Sequence, residues 1–563
     1  MPENYTVLSP WAESDHLEKN PINPRLDTLE GKTIGMYGDF MALATKMLHV
    51  VEEELTRRYP GIRFSYLQYE EETSEIAKDT AFRPKFEQWL GGVDAVLSFY
   101  GSVPSGALFL GYNSALMEQL GKPTVMLTVP RTYPTAIRGC KAKGVPGLRT
   151  VQYDVAVDKI NSHVTLEEVR TAMATDLPGL TDALVSALTA PLTPEERQPT
   201  LPDQRLATET LHGTPRELTR IFYKHGWTNG LPIELPTREA VDEMMRGTNL
   251  SPDTLIGCIP PRMGRATVEK IAVNAVMAGC LPTYLPVLIA AVRGALDPVI
   301  KLEGWTCSQS TWGPVVTVSG SVARDIGLNT ADHMLTPCRQ ANAAIARAFG
   351  YILMNIGGLR PGVEDLSEMG HEFRLGFCIG DDPDHSPWPP LHTDYGFAPE
   401  DSAVTMFWPQ EHRIHAGHSV PEFLEWLCEI APYGWDPGMA IIFTPKCAEM
   451  FAREGWTKQR VLNYVAEYAR LPASKVDLQW LTGNSHRPKN VELPEVMTHS
   501  TRIFWSTEHM FALVGGGQAG QMMTVLAGGG DHGGPSCTKI ELPENWAELV
   551  REYQDLIPEY IPY

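Results

Sequence analysis

Residues 31–69, GKTIGMYGDFMALATKMLHVVEEELTRRYPGIRFSYLQY, decide the fold. GKTIGMYG reads as a short apolar strand, MALATKMLHVVEEELTRRYP as an amphipathic helix ended by Pro60, and IRFSYLQY as a second strand. The alternation continues outward: VDAVLSFYG is a strand, the run near ALFLGYNSALMEQLG is helical, and PTVMLTVP is a strand. This spacing predicts a parallel sheet with helices on both faces, a flavodoxin-like α/β domain. Ligands bind such sheets in the crevice beyond the carboxyl ends of the strands. Two loops occupy that edge, Tyr37-Gly38-Asp39 and Tyr100-Gly101-Ser102-Val103-Pro104-Ser105-Gly106, which makes Asp39, Tyr100 and Ser102 candidate site residues.

Around this domain the chain of 563 residues divides further. Residues 1–28 form an arm rich in Pro and Asn, expected to wrap a neighbour or to fray. Residues 29–160 are the first α/β domain, and 161–213 hold connecting helices and a polar linker, LTPEERQPTLPDQR. Residues 214–563 form a larger α/β domain whose scaffold is TLIGCIPPRMGRATVEKIAVNAVMAGCLPTYLPVLIAAVRGALDP, Thr254 to Pro298. It reads as a strand to Ile259, a Pro-Pro-Arg-Met-Gly-Arg loop and two buried helices. Cys258, Arg262, Arg265, Glu269 and Asn274 cluster at the start of the first helix. Gly-Trp-Thr recurs at Gly226, Gly304 and Gly455, at unequal intervals and with dissimilar flanks, so it marks no sequence repeat.

The net charge of −21, from 47 basic and 68 acidic residues, argues against nucleic-acid binding and against docking on anionic membranes. No run approaches the roughly 20 apolar residues of a membrane span, and the N-terminus has no secretory signal pattern. Nine scattered cysteines without C-x-x-C read as reduced thiols, and the expected location is cytoplasmic. The very apolar helices fit a homo-oligomer interface or a deep core equally well.

Several motifs carry chemistry. Gly515-Gly516-Gly517-Gln518-Ala519-Gly520 satisfies G-x-G-x-x-G but lacks the helix, strand and acidic residue of a dinucleotide fold, so no classical dinucleotide cofactor is expected. Gly516 and Gly517 would offer backbone N–H groups to an anion, or else permit backbone-to-backbone packing. His412, His415 and His418 in H-x-x-H-x-x-H, with Asp381, Asp382, Asp384 and His385, invite a metal reading, but neither set has ligand geometry, and no metal is predicted. The loop holding Ser386, Trp388, His392 and Tyr395 is long enough to be a pocket lid. Cys258 lies near two arginines that would lower a thiol pKa; a buried inert thiol is the alternative. Glu269 is the acid–base candidate, with surface ion pairing equally open.

The segments GKTIGMYGD through VDAVLSFYGSVPSGALFLGYNSALMEQLGKPTVML resemble the UGSC family of thiol or selenol oxidoreductases. That family is named for a selenocysteine-or-cysteine, Gly, Ser, Cys motif after a strand. GWTNGLPIELPT, IPPRMGRATVEKIAVNAVMAGCLPTYLPVLIAAV, ANAAIARAF, HSPWPPLHTDYGFAPEDSAVT and the glycine-rich end look like its partner region. The resemblance implies the fold and the pocket position. Aligning Gly101-Ser102 puts Tyr100 and Val103 at the family's redox positions, and neither supports thiol or selenol chemistry.

The expectation is a small-molecule enzyme acting on a polar, anionic substrate, with its site between the two α/β domains. Arg262, Arg265, Asn274, Ser102, Asp39, Trp388, Gly516 and Gly517 would bind the substrate. Glu269 or His392 would move a proton, Tyr100 would donate or anchor, and Cys258 would be the nucleophile. Lyase, transferase and non-thiol redox reactions remain open. A degenerate ligand-binding or partner subunit is one competitor; a metalloenzyme using the 381–418 loops is another.

Overall fold

The computed structural model describes residues 4–14, 18–39, 41–69, 74–157, 164–200, 210–372, 374, 376–431, 438–472, 500–504, 506–528 and 533–554. After a short strand β1 (Tyr5–Val7), the alternation appears as read: β2 (Thr33–Gly38), α1 (Ala42–Arg58), β3 (Arg63–Gln68), α2 (Arg83–Gly91), β4 (Ala95–Gly101), α3 (Pro104–Gln119), β5 (Thr124–Thr128), α4 (Tyr133–Ala142) and β6 (Arg149–Gln152). The five strands run parallel in the order β3-β2-β4-β5-β6, so the order reverses between β2 and β4. This is the flavodoxin-like sheet.

α3 is apolar nearly all round and wholly buried through Ala115 because it is covered on one side by α4 and on another by the second domain. Its crossing with α4 depends on two glycines. A methyl on Gly111 would stand 2.3 Å from the Ala136 carbonyl, and one on Gly139 would stand 2.5 Å from that of Leu108. The 161–213 segment supplies α5 (Leu166–Met173) and α6 (Leu177–Thr189), whose Val169, Met173, Leu180, Leu184 and Leu188 join the core of this first domain. Part of the linker is packed too: Arg149 grips Glu196 with two bonds of 2.7 and 2.9 Å.

The second domain has a topology invisible in the sequence. Its first sheet joins β10 (Val315–Ser319) to β11 (Phe377–Gly380) in parallel and to β12 (Ala403–Phe407) antiparallel. Its second sheet joins β14 (Met439–Phe443) to β17 (Met510–Val514) in parallel and to β18 (Met522–Ala527) antiparallel. Each unit thus runs strand, helices, parallel strand, antiparallel strand. The next strand of each then crosses to the other sheet: β13 (Glu411–Ala416), which follows β12, pairs with β18, and β19 (Ser536–Lys539), which follows β18, pairs with β12.

The register matches as well. Val315 lies opposite Phe377 and Phe407, Ala440 lies opposite Phe511 and Leu526, and all six meet in one apolar cluster between the sheets. Alternate residues face outward, where Val316, Val318, Val404 and Met406 pack with the helices Val268–Met277, Leu285–Ala295 and Gln340–Asn355. On the far side Met439, Ile441, Phe443, Val525 and Ala527 pack with the helices Val420–Glu429, Pro445–Arg453 and Lys458–Tyr468. The result is a helix–sheet–sheet–helix sandwich with two buried faces per sheet, which explains its continuous apolar strands. Gly-Trp-Thr takes no part in this duplication: Gly304-Trp305-Thr306 lies ahead of β10, whereas Gly455-Trp456-Thr457 falls between two helices.

The described residues of the arm wrap neighbouring elements of the same chain. β1 pairs with the strand Leu211–Gly213, and Ser14 bridges to Gly264. Farther on, Asn23 and Arg25 bond Glu118 of the first domain. The arm therefore ties the two domains together.

Candidate functional site

The predicted site residues fall into four places. The first is the carboxyl edge of the N-terminal sheet, where the order of β2 and β4 reverses. Asp39 is buried there, its N–H donates to Phe99 O at 2.7 Å, and its carboxylate caps the Met41 N–H at 3.0 Å. Tyr100 is fully buried, with its hydroxyl donating to Tyr153 O at 3.1 Å and accepting from Val155 N at 3.4 Å. Burial pushes this phenol well above its ordinary range, which makes it an anchor between strand ends rather than a proton donor to substrate. Ser102 Oγ is buried and has no hydrogen-bond partner among the described residues. Val103 is almost buried.

The second place is the mouth of the Thr254–Pro298 scaffold, and the arm fills it. The strand Leu255–Ile259 turns back through a second strand, Gly264–Thr267, into the helix Val268–Met277. Arg262 lies with its guanidinium 4.0 Å from the Trp11 ring and donates to Ser14 Oγ at 3.2 Å and to Ala12 O. Desolvation, helped by nearby Arg360, lowers its pKa to about 10. Lys270 Nζ donates to Ser9 O at 2.6 Å, and the fully buried Asn274 donates to Pro10 O at 3.3 Å. Asn355 joins in, giving one N–H to Asn274 Oδ1 at 2.7 Å and receiving the Ala12 N–H on its carbonyl. Arg265 N–H bonds Glu13 O at 2.8 Å. Arg262 and Asn274 thus hold the chain's own backbone. Glu269, on the same helix, points elsewhere into an ion pair with Arg238 at 2.7 Å, both partly exposed.

The third place is a cavity of about 490 Å³ between the domains. The first domain contributes Glu75, Lys78 and Phe109; the second contributes Cys258, Lys301 and Glu303. Lys78 bridges the domains, 2.8 Å from Glu75 and 3.2 Å from Glu303, and Lys143 reaches Glu75 at 2.7 Å. Cys258 is half-buried here and stands opposite Arg265 in the hairpin register. Most other thiols are disabled by desolvation, which raises Cys140 and Cys447 to about 12 and Cys428 and Cys537 to about 11.

The fourth place lies at the carboxyl ends of β10 and β11. His392 is fully buried: its Nδ1 is 2.8 Å from Ser319 Oγ and its Nε2 is 3.1 Å from Ala398 O. Ser319 Oγ is also 3.1 Å from Asp381 Oδ2. The Ala398 carbonyl requires the N–H at Nε2, and the Ser319 hydroxyl lies between His392 Nδ1 and Asp381 Oδ2. Burial raises the Asp381 pKa, against hydrogen bonds from Leu391 N, Val514 N and Ser319.

His392 therefore meets groups the sequence reading did not single out as catalytic, Ser319 and Asp381. The one sequence signal for Ser319 is that it is a small polar residue at the end of the apolar run PVVTVSG. Trp388 instead pins its loop, donating from the indole to Trp456 O at 2.9 Å, and Lys458 holds the same loop at Pro389 O. Gly516 N–H is spent on Thr330 O at 2.8 Å. At Gly517 a Cβ would stand 2.0 Å from Asp332 Oδ1. The glycine run is thus close packing rather than an anion cradle. His412 and His415, three apart on β13, face opposite sides, and His415 stacks on Trp426. Among the described residues no three His, Cys, Asp or Glu side chains converge as metal ligands, and no helix is long and apolar enough to cross a membrane.

No curated protein matches the chain. Tyr100 is anchored and Val103 is apolar, so the two positions that the resemblance aligns with the family's selenocysteine and cysteine carry no thiol or selenol here. The model of the UGSC family matches residues 6–185, and the N-terminal α/β domain of this chain is accordingly a UGSC-family domain.

Proposed function

We propose that the chain is a small-molecule enzyme whose polar, anionic substrate binds in the cavity between its two domains. The observation that carries this reading is the 490 Å³ space where Cys258 of one domain faces a lysine–glutamate cluster contributed by both. Domain interfaces are preferred places for such sites, and a few charged groups in a partly apolar cavity fix orientation. Lys78 and Lys301 would receive the anionic group. Cys258 would act as nucleophile: its sulfur bonds to an electrophilic carbon, the leaving group departs with the thiol proton, and an acceptor then takes the group from sulfur. Of the reaction classes considered, this is transfer.

The test is alkylation by iodoacetamide at neutral pH, read by peptide mass spectrometry in a Cys338→Ser background, because Cys338 is exposed. Cys258 is expected to react first and to be protected by small carboxylates or phosphates at millimolar concentration. Modification of Cys428 or Cys537 ahead of Cys258 would remove the nucleophile from the site. A reactive Cys258 that no anion protects would favour the non-catalytic subunit.

A further inference from the structure

The duplicated second domain contains its own comparison. In both units the turn after the parallel strand closes with the same backbone bond: Asp381 N–H to Val318 O in one, Gly515 N–H to Phe443 O in the other, each 2.9 Å. By the matched register, Asp381 and Asp382 of the first unit stand where the second unit has Gly515 and Gly516. Glycine therefore satisfies the fold at this turn, and the two carboxylates are an addition peculiar to one unit. They are 2% and 5% exposed; Asp381 is answered within the fold by Leu391 N, Val514 N and Ser319 Oγ, which leaves Asp382 as the buried acid turned to the cavity side.

The unit with the acids opens onto a cavity at this turn. It holds about 250 Å³, with Asp381, Asp382 and Asp384 on one side and Arg324, Arg339 and Asn329 among its other lining residues. At roughly 30 Å³ per water-sized group, it accommodates about eight non-hydrogen atoms. Its charges are mixed rather than acidic: Asp382 accepts from the Asp384 N–H and lies 2.8 Å from His385 Nδ1, while Arg324 meets Asp384 at 3.2 Å across a half-exposed rim. The space lies beyond the carboxyl ends of a parallel strand pair, where α/β sheets take ligands.

The geometry points to a binding site for a small zwitterion of the amino-acid class, its carboxylate received by Arg339 and Arg324 and its ammonium by Asp382 and Asp384. This site is separate from the interdomain cavity and stands without it. Charge at both walls selects against molecules carrying only one of the two groups, because the opposite wall would then be desolvated without a partner.

The experiment is isothermal calorimetry on the full-length chain with alanine, serine, aspartate and glutamate at millimolar concentration, beside propionate and ethylamine, which each keep one charged end of alanine. At least one amino acid is expected to bind, with propionate and ethylamine at least tenfold weaker than alanine wherever alanine binds. Arg339→Met and Asp384→Asn should each weaken binding at least tenfold, and Ala331→Trp, which fills the cavity from its exposed rim, should abolish it. No binding by any of the four amino acids overturns the proposal. So does propionate binding as well as alanine, which would make the site a plain anion pocket, and so does binding that survives Ala331→Trp. Asp384 and Ala331 are exposed, so these variants keep the test readable if Arg339→Met fails to fold.

Discussion

Asn274→Ala separates an arm anchor from a substrate ligand. In the structure this residue is fully buried, donates to Pro10 O at 3.3 Å and to Lys270 O at 2.9 Å, and accepts from Asn355 at 2.7 Å. Lys270 O keeps the backbone bond of its helix, so truncation strands two groups: the Pro10 carbonyl and one N–H of Asn355, whose other N–H stays on Trp227 O. Each stranded buried group costs about 1–3 kcal/mol, so the variant should lose roughly 2–6 kcal/mol. With about 2.1 cal/mol/K of unfolding entropy per residue over a domain of roughly 350 residues, each kcal/mol moves the midpoint by ~1.4 °C. Thermal unfolding followed by far-UV circular dichroism should therefore show a fall of about 3–8 °C. In a chain lacking residues 1–14, where the Pro10 contact is already gone, the same substitution should cost about half as much. A shift under 1 °C, or an equal penalty with and without the arm, would refute the anchoring argument and return Asn274 to the list of substrate ligands.

Two further outcomes follow from the packing. Gly111→Ala places a methyl 2.3 Å from the Ala136 carbonyl and forces α3 from α4; it should cost about 1–3 kcal/mol, seen as a lower urea midpoint of the first domain. Lys270 has its pKa lowered to about 8 by desolvation, so the unfolded chain binds more protons between pH 8 and 10.4, and stability rises with pH across that window. Measured against Lys270→Met, the wild type should gain up to about 3 kcal/mol between pH 8 and 10; a flat difference would show that the ammonium is not desolvated.

The legible part of the fold was the part written in local periodicity. The strand–helix alternation of residues 31–128 and the scaffold strand and helices of 255–295 appear where read, because each element's apolar spacing matches the face it buries. The strand exchange was not legible. The stretch of β13 reads as a strand end running into a loop and β19 carries no strand reading at all, and nothing in Glu411–Ala416 says that it leaves its own unit's sheet for the other; that is decided by which neighbour completes four strands. The site was partly misread for a related reason. Arg262 and Asn274 look like ligands because polar groups at the mouth of an apolar scaffold need partners, but the partners are carbonyls of the Pro-rich arm more than 240 residues away. His392 was noticed for its loop; that it faces Ser319 and Asp381 depends on strand register, which one sequence does not display.

The arm and the strand exchange have a common consequence for where chemistry can reside. Reciprocal crossing of β13 and β19 makes neither half of the second domain complete without the other, so the two sheets cannot open like a hinged pair. The arm adds a second constraint, since it is bonded both to the 262–274 mouth and to Glu118 of the first domain. The contact between the domains combines the buried face of α3, packed on Cys307, with side-chain pairs such as Lys78–Glu303 and Arg131–Glu368, the latter half-exposed at 2.7 Å. Exposed pairs of this kind contribute little each, about 0–1 kcal/mol, and are screened by salt. A ligand entering the interdomain cavity would exchange such pairs at low cost, whereas one entering the proposed strand-end site would meet charges set at the edge of the double sheet. The first suits a substrate that must be enclosed and released; the second suits a small ligand recognised by its two charges.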